Sequence, residues 1–376
     1  LSKRKTNDKK AKIYDIENLN FSYSYSENKY QDFEMDYSDK KMVMANAQYS
    51  YSFENVSIYP FEKLLENKDS KYLKWLKEFN FNPLPNSLTF SGNYNRTLLS
   101  QKFREVNYLG VISNNQIPIP EFRQSKFMFD WLLSISHNLS KSLVLSYNAS
   151  NSSLIPSFTK NIDATDRNKM ELFDNFFEVG ESNFYNQNFS ANYNLPISNF
   201  PFLDFIDANY SYNGNFNWQR GSDIQNNIND EFGNKLGRVN TIQNSNNQTF
   251  NISLNLDKFY RQISFLNKNS ILNVFKSVKR IRSTYSENSG KVLPGYIPSI
   301  GFLGTLKPSF GFVFGDQKDV RYEIAKNGWL TEFSNFNQQY QKIYNSKFDL
   351  IAEIELFKNL RIDLNANRIY SNNYSE

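Results

Sequence analysis

A strict two-residue alternation fixes what this chain can fold into. Residues 208–218 read ANYSYNGNFNW. Ala208, Tyr210, Tyr212, Gly214, Phe216 and Trp218 share one parity, and Asn209, Ser211, Asn213, Asn215 and Asn217 the other. Successive side chains of a β-strand point to opposite faces, so this stretch as a strand has one greasy and one wet face. The greasy face suits either a protein core or lipid.

The pattern recurs along the chain. Leu19, Phe21, Tyr23 and Tyr25 alternate with Asn20, Ser22 and Ser24. Ala45, Ala47, Tyr49, Tyr51 and Phe53 alternate with Asn46, Gln48, Ser50 and Ser52. Similar runs occupy 88–95, 127–135, 143–149, 187–195, 250–256, 348–356 and 360–368, with a weaker one at 279–286. The period predicts about eleven strands, most of about 9 to 11 residues, longer than the usual 5 or 6 of soluble sheets. A ten-residue strand rises about 33 Å, or roughly 24 Å when tilted by 45°, close to the apolar band of an outer-membrane barrel.

Composition removes several alternatives. Hydrophobic residues make up 39% and aromatic residues 16%, with a mean hydropathy of -0.63. No stretch approaches the roughly 20 apolar residues of a membrane helix, so a helical membrane protein is excluded. The net charge of +5, from 43 basic and 38 acidic residues, is too balanced to suggest nucleic acid as a partner. Without cysteine there is no disulfide framework, thiolate nucleophile or cysteine metal site. The opening LSKRKTNDKK has no apolar signal region, and the closing RIYSNNYSE looks cut. The expectation is a piece of a longer chain, if the protein is exported.

The connections between the expected strands sort by length. Three are tight, at 137–142, 196–205 and 357–359. Two, at 62–79 and 256–279, look partly helical and basic. The remaining five, at 27–41, 99–126, 151–183, 219–247 and 288–346, are polar, and most are long. In an up-and-down chain the first two kinds fall on one side and the third on the other. That is the layout of an outer-membrane barrel: short periplasmic turns, here with two partly helical periplasmic connections, and long extracellular loops. In this reading the wet set faces a hydrated lumen: Asn20, Ser22, Ser24, Asn46, Gln48, Ser50, Asn209, Ser211, Asn213, Asn215 and Asn217. The greasy set faces lipid: Phe21, Tyr23, Tyr49, Tyr51, Tyr210, Tyr212, Phe216 and Trp218. Arg96 and Arg368 fall on greasy faces near the long-loop end, where a charge either reaches the headgroup layer at small cost or sits just past its strand.

One stretch is more specific than a pattern: TYSENSGKVLPGYIPSIGFLGTLKPSFGFVFGDQ from residue 284, followed by NGWLT at 327–331. Together with YDIENLNFSYSYSE at 14–27, KWLKEFNFNPLPNSLTF at 74–90, NYNLPISNFPFLDFIDANYSYNGNFNW at 192–218 and NTIQNSNNQTFNISLNLDKFY at 240–260, it resembles the SprA/Sov family. These are outer-membrane translocons of the bacterial type IX secretion system, also tied to gliding motility. The similarity covers most of the chain, in order. It implies an exceptionally wide single-chain barrel that passes folded cargo proteins to the cell surface, of which residues 1–376 would be part of the wall. It also implies two partners, a PorV-like shuttle barrel at a lateral opening and a periplasmic plug protein. The loop at 288–346 would then shape the passage through Pro294, Gly295, Pro298, Gly301, Phe302, Gly304, Gly311, Phe312 and Gly315; the plainer role is support of the barrel rim.

No cofactor, metal or catalytic group is expected. His137 is the only histidine and sits at a tight turn. Asp223, Asp230 and Glu231 lack the spacing of a calcium loop. Lys71, Lys74, Lys77, Lys268, Lys276, Lys279 and Arg280 form solvated helix faces or a docking surface for a periplasmic partner. The Asn-X-Ser tripeptides at 138 and 251 are chance in an Asn-rich chain. The competing reading is a soluble or surface-exposed β-rich binding module, such as an adhesin, with the aromatic residues in its core.

Overall fold

Each alternating run forms a strand, and the strands pair in chain order. The computed structural model describes residues 12–65, 73–104, 119–155, 172–173, 177–200, 202–229, 231, 233, 236–262, 275–333, 336–357 and 360–376. The strands are β1 (Leu19–Tyr30), β2 (Met35–Ser52), β3 (Ser87–Phe103), β4 (Phe122–Asn138), β5 (Leu143–Ile155) and β6 (Glu181–Leu195). They continue as β7 (Ile206–Gln219), β8 (Asn240–Asn255), β9 (Val278–Tyr296), β10 (Gln341–Phe357) and β11 (Leu360–Ser375). They make one antiparallel sheet in the order β1 to β11, with β1 and β11 at its two ends. Successive connections therefore leave from alternate ends of the strands. Among the described residues four short helices lie in the connections: α1 (Lys74–Lys77), α2 (Leu256–Gln262), α3 (Phe310–Val313) and α4 (Arg321–Lys326). Among the described residues no helix is long and apolar enough to cross a membrane.

The strands run longer than the alternation predicts, from 12 residues in β1 to 19 in β9. The extensions are polar, so hydrophobic periodicity misses them. Residues 27–41, expected as a loop, are mostly ladder. Their register sets Glu27 opposite Lys41 and Lys29 opposite Asp39, and opposite charges facing each other across strands favour pairing. The connection that remains is residues 31–34. β9 likewise continues through Pro294 and Gly295, which are strand and not loop residues. There Tyr296 pairs with Asn240 and Pro294 with Thr241, so Gly295, at φ 85°, is the extra residue of a bulge. The bulge lets a proline without an N–H sit in a ladder. A strand of this length, about 17 residues, rises roughly 57 Å, or about 40 Å when tilted, and so exceeds the roughly 30 Å hydrocarbon core of a bilayer.

The chain forms two compact units. The first comprises Leu1–Tyr51, Thr89–Leu133 and Ser150–Tyr185. Its core gathers Val43, Leu98, Phe127, Phe129, Trp131, Ile155 and Tyr185. Arg96 is fully buried among them, mid-strand in β3. Its guanidinium lies 4.9 Å from the Phe127 ring centroid, and Nη1 donates to the Leu172 carbonyl at 3.2 Å. Arg96 is thus enclosed by protein and is neither a headgroup contact nor past its strand's end. On β1 and β2 the register sets Phe21 opposite Ala47, Asn20 opposite Gln48 and Ser22 opposite Asn46, so the two parities occupy opposite faces. Ser24 stands opposite Met44, which interrupts that polar face. Tyr49 donates its hydroxyl to the Ile13 carbonyl at 2.6 Å, and the Ser50 and Thr89 hydroxyls are 3.3 Å apart.

The second unit comprises Ser52–Leu88, Ser134–Ala149 and Asn186–Glu376. At the short-turn end, segment 80–86 is stitched to the β4–β5 turn. Asn82 N donates to the Leu139 carbonyl at 2.8 Å, Asn82 Nδ2 to the Asn138 carbonyl at 2.6 Å, and Lys141 N to Asn80 Oδ1 at 3.1 Å. His137 Nε2 lies 2.8 Å from the Asn82 carbonyl oxygen, which makes the lone histidine part of this turn's hydrogen bonding.

Candidate functional site: a two-faced wall and its strap

In an antiparallel pair, directly opposed residues point to the same side, so register sorts the second unit into two faces. One face carries three apolar rows across β7 to β11. The lowest is Ile206, Leu254, Ile281, Ala352 and Leu364; the next is Ala208, Ile252, Ser283, Leu350 and Ala366. Above them stands an aromatic row, Tyr210, Phe250, Tyr285, Phe348 and then Arg368. Arg368 is exposed there, at the upper rim of the apolar band. With Ile354, which pairs with Val278 one row further down, the apolar stretch of β10 from Phe348 spans about 20 Å of strand, close to the roughly 25 Å band of outer-membrane barrels.

The opposite face is mostly polar, with Ile343, Ile351 and Ile369 as its exposed apolar members on β10 and β11. Asn186 Nδ2 donates to Asn215 Oδ1 at 3.3 Å and also to Asn217 Oδ1. Asn188 Nδ2 donates to Asn213 Oδ1 at 2.7 Å, and Asn209 Nδ2 to Asn194 Oδ1 at 2.6 Å. Thr284 donates to Asn251 at 2.9 Å, and the Ser146 and Ser190 hydroxyls are 2.6 Å apart. Several of the charges on this face are paired: Lys347 with Asp349 at 2.9 Å, Arg282 with Glu353 at 3.2 Å and Arg361 with Asp363 at 3.0 Å. Of the five wet residues read from 208–218, four join this amide lattice, and Ser211 stands in the same row.

The apolar face changes character above the aromatic row. The β9–β10 connection folds back over it as a strap, residues 297–333. Trp218 Nε1 donates to the Pro298 carbonyl at 3.1 Å, and Asn240 Nδ2 to the Ile297 and Pro298 carbonyls at 3.0 and 3.2 Å. Further along, seven consecutive strap carbonyls each accept a bond from a strand side chain. Asn244 Nδ2 takes Phe312 O at 3.1 Å and Asp316 O at 2.8 Å. Gln187 Nε2 takes Val313 O at 3.0 Å, Tyr212 Oη takes Phe314 O at 2.6 Å, and Asn246 Nδ2 takes Gly315 O at 2.8 Å. Lys291 Nζ takes the Gln317 carbonyl and, at 2.7 Å, that of Lys318. Phe312 meets Phe216 edge to face at 6.1 Å. Ser309 caps α3 by accepting from Phe312 N at 3.2 Å.

Two expectations are corrected by this packing. Tyr212, Phe216 and Trp218 do not face lipid: the strap covers them, leaving Phe216 0% and Trp218 2% exposed. Of that stretch only Tyr210 stands in the uncovered aromatic row. Nor can Pro298, Gly301, Phe302, Gly304, Gly311, Phe312 and Gly315 shape a passage lined by Asn209 to Asn217, because the strap lies on the other side of the sheet. The donors Gln187, Asn240, Asn244, Asn246 and Lys291 were not anticipated. Their signal is present: each is a polar residue on the parity of Tyr185, Phe189, Ile242 or Leu293, an interruption that only a buried polar partner explains.

The remaining candidates have local roles. Asp223 accepts from Arg220 at 3.1 Å and Arg238 at 2.6 Å, and Asp230 lies outside the described residues. Lys279 pairs with Asp257 at 3.1 Å, while Lys71 and Lys268 lie outside the described residues. At the far end of the strap, Arg321 donates to Asp319 at 2.9 Å and to Glu376, and stacks over the Tyr340 ring at 4.4 Å. The Arg321 guanidinium holds the Asp319 carboxyl below the usual carboxylate range.

Compared with models of protein families, the chain matches none, and it matches no curated protein.

Proposed function

We propose that this chain is part of the wall of a transmembrane β-barrel in the bacterial outer membrane. The observation that carries the proposal is the row-by-row segregation in the second unit: three apolar rows on one face, with amides, hydroxyls and charges predominating on the other. Lipid offers no hydrogen bonds, so the Asn and Ser face belongs to water and the apolar rows to hydrocarbon. Further strands of a longer chain would pair with the outer edges of β1 and β11, since a membrane sheet must close.

Within that reading we propose a protein-conducting channel of the SprA/Sov kind, exporting folded cargo for type IX secretion and linked to gliding motility, with a PorV-like barrel and a periplasmic plug as partners. The wet face suits transport. Many of its amides bond to one another and several of its charges are paired, so it offers a passing protein hydration without strong attachment. An adhesin-like module draws support only from the strap-covered rows, where aromatic residues do form a protein core. The three rows below lie outside the strap, and their outer members Tyr285 and Phe348 are exposed, although Ala208 within them is buried.

The test is single-cysteine labelling from 208 to 218 by a water-soluble maleimide, in the intact protein in outer membranes. Positions 209, 211, 213, 215 and 217 are expected to label, while 208 and 210 stay dark in lipid and 212, 216 and 218 stay dark beneath the strap. Labelling without alternation would remove the wall reading.

A further inference from the structure

The strap's outer edge is apolar and exposed. Leu303 is 70% exposed, Leu306 62% and Phe310 66%, and Phe302 is about half exposed. Phe302 and Leu303 are the central residues of a tight turn closed by Gly304 N donating to the Gly301 carbonyl at 3.1 Å. A mobile loop would turn such side chains inward. This strap has little freedom to do so, because its carbonyls from 312 to 318 are all held by the wall.

The edge lies on the same face of the sheet as the apolar band and is tied by rings to β7. Phe310 packs on Phe314 with ring centroids 4.6 Å apart. Phe314 in turn meets Phe189 at 5.7 Å and Tyr147 at 6.2 Å, and Phe189 reaches Tyr212 at 6.4 Å. A chain of rings thus leads from the strap to Tyr212, one row above the aromatic row, where Gln248, Glu287 and Ser346 stand on the neighbouring strands.

We propose that Phe302, Leu303, Leu306 and Phe310 form an interfacial anchor, whose ligand is the acyl-chain boundary of the leaflet that meets the aromatic row. The inference rests on the apolar rows facing lipid. The strap then stands at headgroup level, where aromatic and aliphatic side chains on a rigid support bury their surface in the upper acyl layer. The rows above Tyr210 lie beyond the hydrocarbon, so the strap shields them and carries the apolar surface outward.

The experiment uses nitroxide side chains at single cysteines in the intact protein, reconstituted into phosphatidylcholine–phosphatidylglycerol vesicles. Labels go at 303 and 306 on the strap, at 350 in the apolar rows and at 213 on the wet face. Accessibility to oxygen, which concentrates in lipid, is compared with that to a water-soluble nickel chelate. Positions 303 and 306 are expected to favour oxygen, as 350 does, and 213 to favour the chelate. The anchor is overturned if 303 and 306 favour the chelate while 350 still favours oxygen, for then the strap stands clear of the bilayer. It is equally overturned if both probes are excluded at 303 and 306, for then a protein covers that edge. If 350 itself favours the chelate, the lipid reading of the wall fails and the anchor falls with it.

Discussion

Gly214 of β7 and Gly315 of the strap face each other so closely that neither position has room for a side chain. A Cβ on Gly315 would lie 2.9 Å from the Gly214 Cα and 2.8 Å from the Tyr212 hydroxyl, and one on Gly214 would lie 2.2 Å from the Phe314 carbonyl oxygen. Gly315 also holds φ at 95°, a left-handed conformation that side chains disfavour. The wall and the strap meet here backbone to backbone.

Gly214→Ala should therefore lift the strap without unfolding the sheet. The clash is with main chain, which cannot swing aside, so a loss of about 1–3 kcal/mol in strap docking is expected. The readout is maleimide labelling of a cysteine at 218, dark in the parent and bright in the variant. Unchanged darkness would show that the strap has another way to sit.

The carbonyl clamp makes a second prediction. Asn244→Leu removes the donor for both Phe312 O and Asp316 O and leaves them buried without it, at a cost of about 1–3 kcal/mol. Hydrogen exchange over 310–318 should rise in this variant. Asn213→Leu, on the opposite face, should leave that exchange unchanged. Equal effects from both would mean the strap responds to sheet stability in general.

A charge placed mid-band separates lipid from water directly. Leu350→Arg should cost about 2–4 kcal/mol of folding stability in bilayers, the usual penalty for an arginine at the midplane of a barrel wall. Ser211→Arg, pointing the other way, should stay within about 0.5 kcal/mol. Chemical unfolding in vesicles measures both, and a reversed order would place the lipid on the amide face.

Acid should loosen the far end of the strap. The Asp319 carboxyl is held below its ordinary value, chiefly by its bonds to Arg321, so the tie is present above the unfolded-state pKa of about 3.9 and is lost as pH falls through the lower folded value. Protection at 319–324, with the intrinsic pH dependence of amide exchange divided out, should be flat from pH 7 down to that range and fall below it. In Asp319→Asn the acid-dependent loss should be smaller, the remainder belonging to Glu376, whose carboxyl Arg321 also holds low.

The sheet was legible because period-two alternation depends on burial of one face, and all eleven runs became strands. Their ends were not legible. Residues 27–41 and 240–249 are mostly polar on both parities, and they are strand because of cross-strand partners that periodicity does not register, such as Lys41 for Glu27 and Tyr296 for Asn240. The wet side of 208–218 followed from its Asn and Ser. The environment of the greasy side did not, since Phe216 under a strap and Phe250 in an open row obey the same pattern. What separates them is a connection more than 80 residues downstream of Phe216, which returns to cover one and not the other. The strap's glycines and aromatic residues marked it as unusual. Its face became evident only from the polar interruptions at Gln187, Asn244, Asn246 and Lys291 once their partners were known.

Nearly all that the wall grips between 312 and 318 is main chain, a feature every amino acid supplies in the same way. Recognition of this kind is blind to side-chain identity outside Gly315, Gln317 and the Phe312 and Phe314 rings that meet the wall. The strap's attachment and its outward chemistry are therefore separable. Substitutions at 303, 306 or 310 can retune what the outer edge touches while the fastening stays the same, much as a common bracket can carry interchangeable fittings.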